Sequence, residues 1–234
     1  PLTSNQIALY VLDVPTNVVA INALTVPDAD VLPIDIVLAD NFYWIMYRTG
    51  DSVTIKIVKI NTTTFAVVST TTFGAFAVQT DAGFSTLRKN YVGSKIFTFT
   101  DDGYVYRMDT TSLTIDNFGV MTDIRDLRHD GTSLMWVVGK DQIDINQGYA
   151  RSFNPTAGTM AVINEWQFNK SGGTTAVNQP YLLSITCNES TGYMYVVDEA
   201  NSRLWEFDGA TAGVATNLTS LAGLAEWVTS PTLY

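Results

Sequence analysis

Histidine and cysteine are almost missing from this chain: a single His129 and a single Cys187 stand among 234 residues. One cysteine excludes an intramolecular disulfide, and neither a CxxC pair nor a His-rich cluster exists to hold a structural zinc. A thiol nucleophile would need His129 as its base. Cys187 instead reads as a small core residue in the apolar run 182–187. His129 lies in Arg128-His129-Asp130-Gly131, which reads as an exposed turn. No Gly-x-Ser-x-Gly elbow accompanies it, so a Ser-His-Asp hydrolase is not indicated. A Gly-rich phosphate loop is also missing, and the expectation is a chain with no cofactor and no metal.

Positive charge is the second shortage. Lys and Arg total 13 against 23 Asp and Glu, for a net charge of −10, and Arg88-Lys89 is the one basic doublet. Neutralising phosphates needs a basic face, which argues against nucleic acid as a partner. An anionic membrane surface is disfavoured for the same reason. No apolar run reaches the roughly 18 residues of a membrane helix, so no membrane insertion is expected. The N-terminus shows neither the basic nor the apolar region of a signal peptide.

What the chain has in quantity is β-forming residues. Threonine is roughly one residue in eight, and threonine favours strands. Hydrophobic residues make up 46%, ample for a core, while charged residues at 15% fall well below the usual quarter. No segment combines helix caps with a 3.6-residue period; 210–224 comes nearest, and its Gly and Thr content argues against it.

A six-residue strand ending in Asp or Asn recurs five times: ALYVLD at 8–13, KIVKIN at 56–61, YVYRMD at 104–109, YARSFN at 149–154 and RLWEFD at 203–208. The second position is always aliphatic and the fifth always large and apolar. The closing Asp13, Asn61, Asp109, Asn154 or Asp208 can accept hydrogen bonds from backbone two or three residues on, which nucleates a tight turn. Thr16, Thr64, Ser112 and Thr211, three residues later, fit the same turn; Ala157 departs from it. A further strand follows each turn, at 18–21, 65–68, 113–115, 160–163 and 214–218. Another precedes the motif and shares an aromatic position: Trp44, Phe97, Trp136, Tyr195 and Tyr234. Upstream again lies a first strand, at 34–39, 84–89, 124–127, 182–187 and 224–228.

Each unit is thus four short strands, A to D. Five such units predict an all-β, five-bladed β-propeller in one domain. The blades span 34–70, 84–120, 124–165, 181–218 and a composite of 224–234 with 7–23. In the composite blade the N-terminal strands C and D pair with the C-terminal strands A and B; left apart, both halves would expose sheet edges. The strand–Asp-x-x-Thr–strand pattern, clearest in ALYVLDVPTNVVAINAL at 8–24, resembles propeller repeats of the YVTN and NHL-like kind. The resemblance runs along nearly the whole chain and implies fold alone, because propellers host lectins, lactonases, glycosidases, scaffolds and viral attachment proteins.

Carboxylates supply the enzymatic alternative. Asp35, Asp126 and Glu226 fall in or beside A strands of three blades, where acids near a central axis could act as acid and base in a glycosidase or lactonase. The competing expectation is that they pair with Arg88 and Arg125 and plug the channel. Asp141 and Asp144 lie in a B–C loop whose spacing is not that of an EF-hand, so they read as solvated turn residues. Trp166 and Phe168 open a polar loop, and Phe73 and Phe76 sit in the long linker 71–83. The D-to-A and B-to-C connections share one face, and on this reading that face binds a protein or a glycan. Phe73, Phe76, Trp166 and Phe168 are then its anchors, with Asp141 and Asp144 as a polar rim. The function expected is a non-enzymatic structural or binding module. A virion or phage surface protein within a larger assembly is the nearest analogy, and a secreted or surface lectin is the alternative.

Overall fold

The computed structural model describes residues 4–13, 15–16, 18–51, 54–72, 88–89, 94–100, 103–121, 123–140, 147–169, 182–188, 190–198, 203–209, 213–214 and 216–220. Among them there is no helix; strands form five sheets. An N-terminal pair joins β1 (Gln6–Asp13) to β2 (Val18–Thr25). The first sheet holds β3 (Leu32–Ala39), β4 (Phe42–Arg48), β5 (Ile55–Asn61) and β6 (Val67–Thr72) in sequence order. The second holds β7 (Arg88–Lys89), β8 (Lys95–Phe99), β9 (Tyr104–Asp109) and β10 (Ile115–Val120). The third is β11 (Ile124–His129), β12 (Met135–Lys140), β13 (Gln147–Phe153) and β14 (Val162–Asn169). The fourth is β15 (Leu182–Asn188), β16 (Tyr193–Asp198), β17 (Arg203–Asp208) and β19 (Thr216–Ser220). The short β18 (Gly213–Val214) leaves the fourth sheet and pairs in parallel with β14.

The turns form as their chemistry dictates. Asn61 Oδ1 accepts from the backbone N–H of Thr63 and Thr64, both at 2.8 Å. Asp109 Oδ1 accepts from Thr111 and Ser112 at the same distance. Each of these turns closes on a residue with positive φ, Phe65 (55°) and Leu113 (60°), whose N–H returns to the carbonyl of Asn61 or Asp109. Left-handed backbone is unfavourable for a Phe or Leu, and the two side-chain bonds hold it there. Between β3 and β4 the two-residue link Asp40-Asn41 has φ of 52° and 64°, as a type I′ hairpin requires.

Sheets stack face to face, which explains why the second strand of each reads as an unbroken apolar run. Alternate residues point to opposite faces. Trp44 and Met46 on β4 meet Ile96, Tyr106 and Met108 of the second sheet. Their neighbours Ile45 and Tyr47 meet Ile7, Leu9 and Leu24 of the N-terminal pair. On β12, Met135 and Val137 meet Phe97 and Phe99 of the second sheet, while Trp136 and Val138 meet Ile185, Met194 and Trp205 of the fourth. The shared aromatic position thus packs neighbouring sheets together.

Two strands differ from expectation. The outer strand of the third sheet, expected at 160–163, runs on as β14 to Asn169 and takes in Trp166 and Phe168. The outer strand of the fourth divides into β18 and β19. Of the inner strand expected at 84–89, the structure describes β7 alone. Residues 224–234, the expected A and B strands of the composite blade, lie outside the described residues, so closure by strand pairing is not seen.

Candidate functional site

The innermost strands meet around a common axis: β7 touches both β3 and β11, and β11 touches β15. Each long inner strand carries a register shift near its start, and a polar residue follows it: Asp35 opposite Met46, Asp126 opposite Val138, and Ser184 opposite Val197. Asp35 Oδ1 accepts from the N–H of Ile36 at 2.8 Å, and Asp126 Oδ1 from that of Leu127 at 2.8 Å. The acids therefore satisfy a backbone donor beside an irregular ladder. Asp126 goes further: its Oδ2 accepts from Ser184 Oγ at 2.8 Å and from the N–H of Ile185 at 3.1 Å. It is 4% exposed. With both oxygens engaged across two sheets, it is a staple between strands. Glu226, the third candidate acid, lies outside the described residues. Arg125 pairs with Asp123 at 2.7 Å.

His129 is fully buried, not exposed in a turn. It ends β11, and its Nδ1 accepts from the N–H of Gly131 at 2.9 Å. The turn itself is organised by Asp130, whose Oδ1 accepts from the backbone of Thr132, Ser133 and Leu134. Cys187 is half-buried, and its thiol donates to the backbone carbonyl of His129 at 3.3 Å. Sulfur and imidazole are neighbours in the fold, but this contact is made through the main chain.

The aromatics expected as anchors separate. Phe168 has no exposed surface. It packs edge-on against Trp205 and Phe207, at centroid distances of 5.5 and 5.7 Å. Trp166 is half-buried against Phe207 at 5.3 Å. Continued pairing of β14 with β13 sets this: Trp166 lies opposite Ala150 and Phe168 opposite Gly148, and the small partners leave room for large rings. The assignment of Phe168 as a contact residue is thereby corrected, since a side chain in the core cannot meet a partner. Phe73, Phe76, Asp141 and Asp144 lie outside the described residues.

The same loop face holds a feature that the sequence reading passed over. Segment 26–31 lies against Gly50, whose N–H donates to Ala29 O at 3.3 Å. A Cβ at Gly50 would sit 2.8 Å from that of Asp30, so only glycine fits without displacement. Tyr47, fully buried at the end of β4, donates its hydroxyl to Asp28 Oδ2 at 2.7 Å, and Lys56 Nζ reaches Asp28 Oδ1 at 2.5 Å. Burial, then the hydrogen bond to Asp28 and its negative charge, push the phenol pKa well above the ordinary tyrosine range. The sequence signal was an acid beside a proline, Pro27-Asp28, in a short link between strands. Among the described residues, no three His, Cys, Asp or Glu side chains group to hold a metal ion.

Four-stranded antiparallel sheets stacked around an axis, with the first strand of each innermost, define a β-propeller. No protein-family model matches the chain, and no curated protein does. Solved structures do. The Dos1 propeller is similar over 91% of this chain and 53% of its own, with a TM-score of 0.63 and 9% identity. The C-terminal WD40 domain of Sif2 is similar over 93% of this chain and 57% of its own, at 0.60 and 12%. A chain of the nidogen/laminin complex is similar over 94% and 77%, at 0.56 and 12%. This chain spans little more than half the length of the first two. At such identities the likeness establishes the fold.

Proposed function

We propose that this propeller is a non-enzymatic structural or binding module that meets a protein or glycan partner through the face carrying its D-to-A and B-to-C connections. A surface component of a larger assembly, such as a virion or phage particle, is the setting that this reading favours. The observation that carries it is Asp126. The described acid best placed for chemistry at the axis is buried and engaged by Leu127, Ser184 and Ile185, which suits a rigid scaffold better than proton transfer.

The contact surface in this reading consists of segment 26–31, the 49–54 turn and the loops around Phe73, Phe76, Asp141 and Asp144. Connections on a rigid scaffold are where contacts usually lie. Cross-linking mass spectrometry on the protein purified from its native source tests the assignment. Intermolecular cross-links should concentrate on 26–31, 49–54, 71–83 and 141–146. Cross-links confined to the opposite face, at the turns 62–66 and 110–114, would overturn it.

A further inference from the structure

The outer strands differ in how their open edges are protected. A long, regular, uncharged edge invites another strand, and proteins blunt such edges with bulges, charges, short length or a covering segment. Strand β10 carries Asp116 and a register shift between Asn117 and Gly119. The six-residue β6 and the five-residue β19 each pair across a register shift, at Lys59/Ile60 and Leu204/Trp205 of their partner strands. Strand β14 runs to eight residues, carries Glu165 and pairs across a shift between Arg151 and Phe153. Its open edge takes β18, with Trp166 opposite Gly213 and Gln167 opposite Val214. Strand β2 follows the β1 hexamer as the others follow theirs, and it too is eight residues long, VVAINALT. Its ladder with β1 is unbroken, from Gln6 opposite Thr25 to Asp13 opposite Val18. It holds no charge, proline or glycine, and the nearest charges along the chain are Asp13 and Asp28. Among the described residues no strand pairs with its outer edge. Val18 and Val19 point to opposite faces and are 60% and 51% exposed, so the exposure belongs to the edge and not to one face.

We propose that β2 is a self-pairing edge: two copies of this chain join their β2 strands antiparallel about a two-fold axis and form one continuous sheet. Centred between Ile21 and Asn22, the pairing sets Val18 opposite Thr25, Val19 opposite Leu24 and Ala20 opposite Ala23 of the second copy. Branched side chains then meet across the strands, which favours pairing. No like charges oppose one another, which matters when each copy carries a net charge of −10. Strand addition at an outer edge has a precedent inside the molecule, where β18 joins β14. Symmetry selects a second copy over a foreign strand, because an isologous contact uses the same edge twice and closes. The contact uses the rim of the propeller and does not depend on the loop-face reading.

Sedimentation equilibrium of the full chain reads the association directly. Wild type should populate a dimer that grows with concentration. Val19→Lys combined with Ala20→Lys, at two exposed positions, should sediment as a monomer, since edge lysines block strand addition, and its thermal unfolding should be little changed. The register has its own test, which does not rely on that variant. Ala20→Cys mixed with Ala23→Cys under mild oxidation should give a disulfide-linked heterodimer in preference to either homodimer. A wild type that stays monomeric at every concentration, a dimer that survives the double substitution, or mixed cysteine variants that cross-link no faster than each alone overturns the proposal.

Discussion

Ser184 on β15 donates its hydroxyl to Asp126 on β11 at 2.8 Å, so a carboxylate at the propeller axis holds two neighbouring inner strands together. The same Oδ2 also takes the N–H of Ile185. Asp126→Ala removes the acceptor for two backbone donors and one hydroxyl. A buried donor left unpaired costs about 1–3 kcal/mol, so thermal unfolding of Asp126→Ala should move down by several degrees. Ser184→Ala should be milder. Assayed against aryl glycosides and lactones, wild type should show no turnover. Turnover that disappears in Asp35→Ala and Asp126→Ala with folding intact would instead identify an enzyme.

Phe168 is a core residue, and its truncation has a core residue's consequence. Phe168→Ala empties a site enclosed by Trp205 and Phe207 and should lower stability by about 3–5 kcal/mol. Trp166→Ala, from a half-buried site, should cost less. Denaturant midpoints of the two variants check the order; equal and negligible shifts would place both rings on the surface.

Tyr47 links ionisation to folding. Its pKa is raised in the folded protein above the unfolded value of about 10. The protonated phenol is therefore the form that folding favours. Its contribution is complete below about pH 10 and is lost as pH climbs through the folded pKa. Asp28→Asn removes the charge and the carboxylate acceptor while leaving burial, the largest cause, in place. Tyrosinate absorbance, read as a difference from Tyr47→Phe, should show the phenol ionising at lower pH in Asp28→Asn, yet still above an exposed tyrosine.

Asp109 shows the opposite sign. The hydrogen bond from Lys95, then those from Ser112 and Thr111, hold its pKa well below the usual carboxylate range. That stability is present above the unfolded pKa of about 4 and fades as pH falls through the folded value. Lys95→Met should therefore lower the melting temperature most at neutral pH and progressively less as pH falls through the folded Asp109 value, and the acid unfolding midpoint should shift to higher pH. A midpoint unmoved by Lys95→Met would show the bridge to be inert.

The local architecture was legible in the sequence because its causes are local. Asn61 and Asp109 announce their turns, since an Asx side chain reaches no further than the next few amides. The aromatic at Trp44, Phe97 and Trp136 marks a strand because two-sided stacking demands a large apolar ring at one register. What the sequence could not settle depended on neighbours distant along the chain. Trp166 and Phe168, followed by a polar stretch, look like loop residues until β13 opposes them with Ala150 and Gly148. Asp126 reads only as a carboxylate on an inner strand until Ser184, 58 residues away, meets it across the axis. His129 looks exposed until the stacking of sheets buries it. Strand identity and turn chemistry were fixed by short-range sterics and hydrogen bonding; whether a given side chain faces solvent, a partner or the core was decided by sheets coming together in three dimensions.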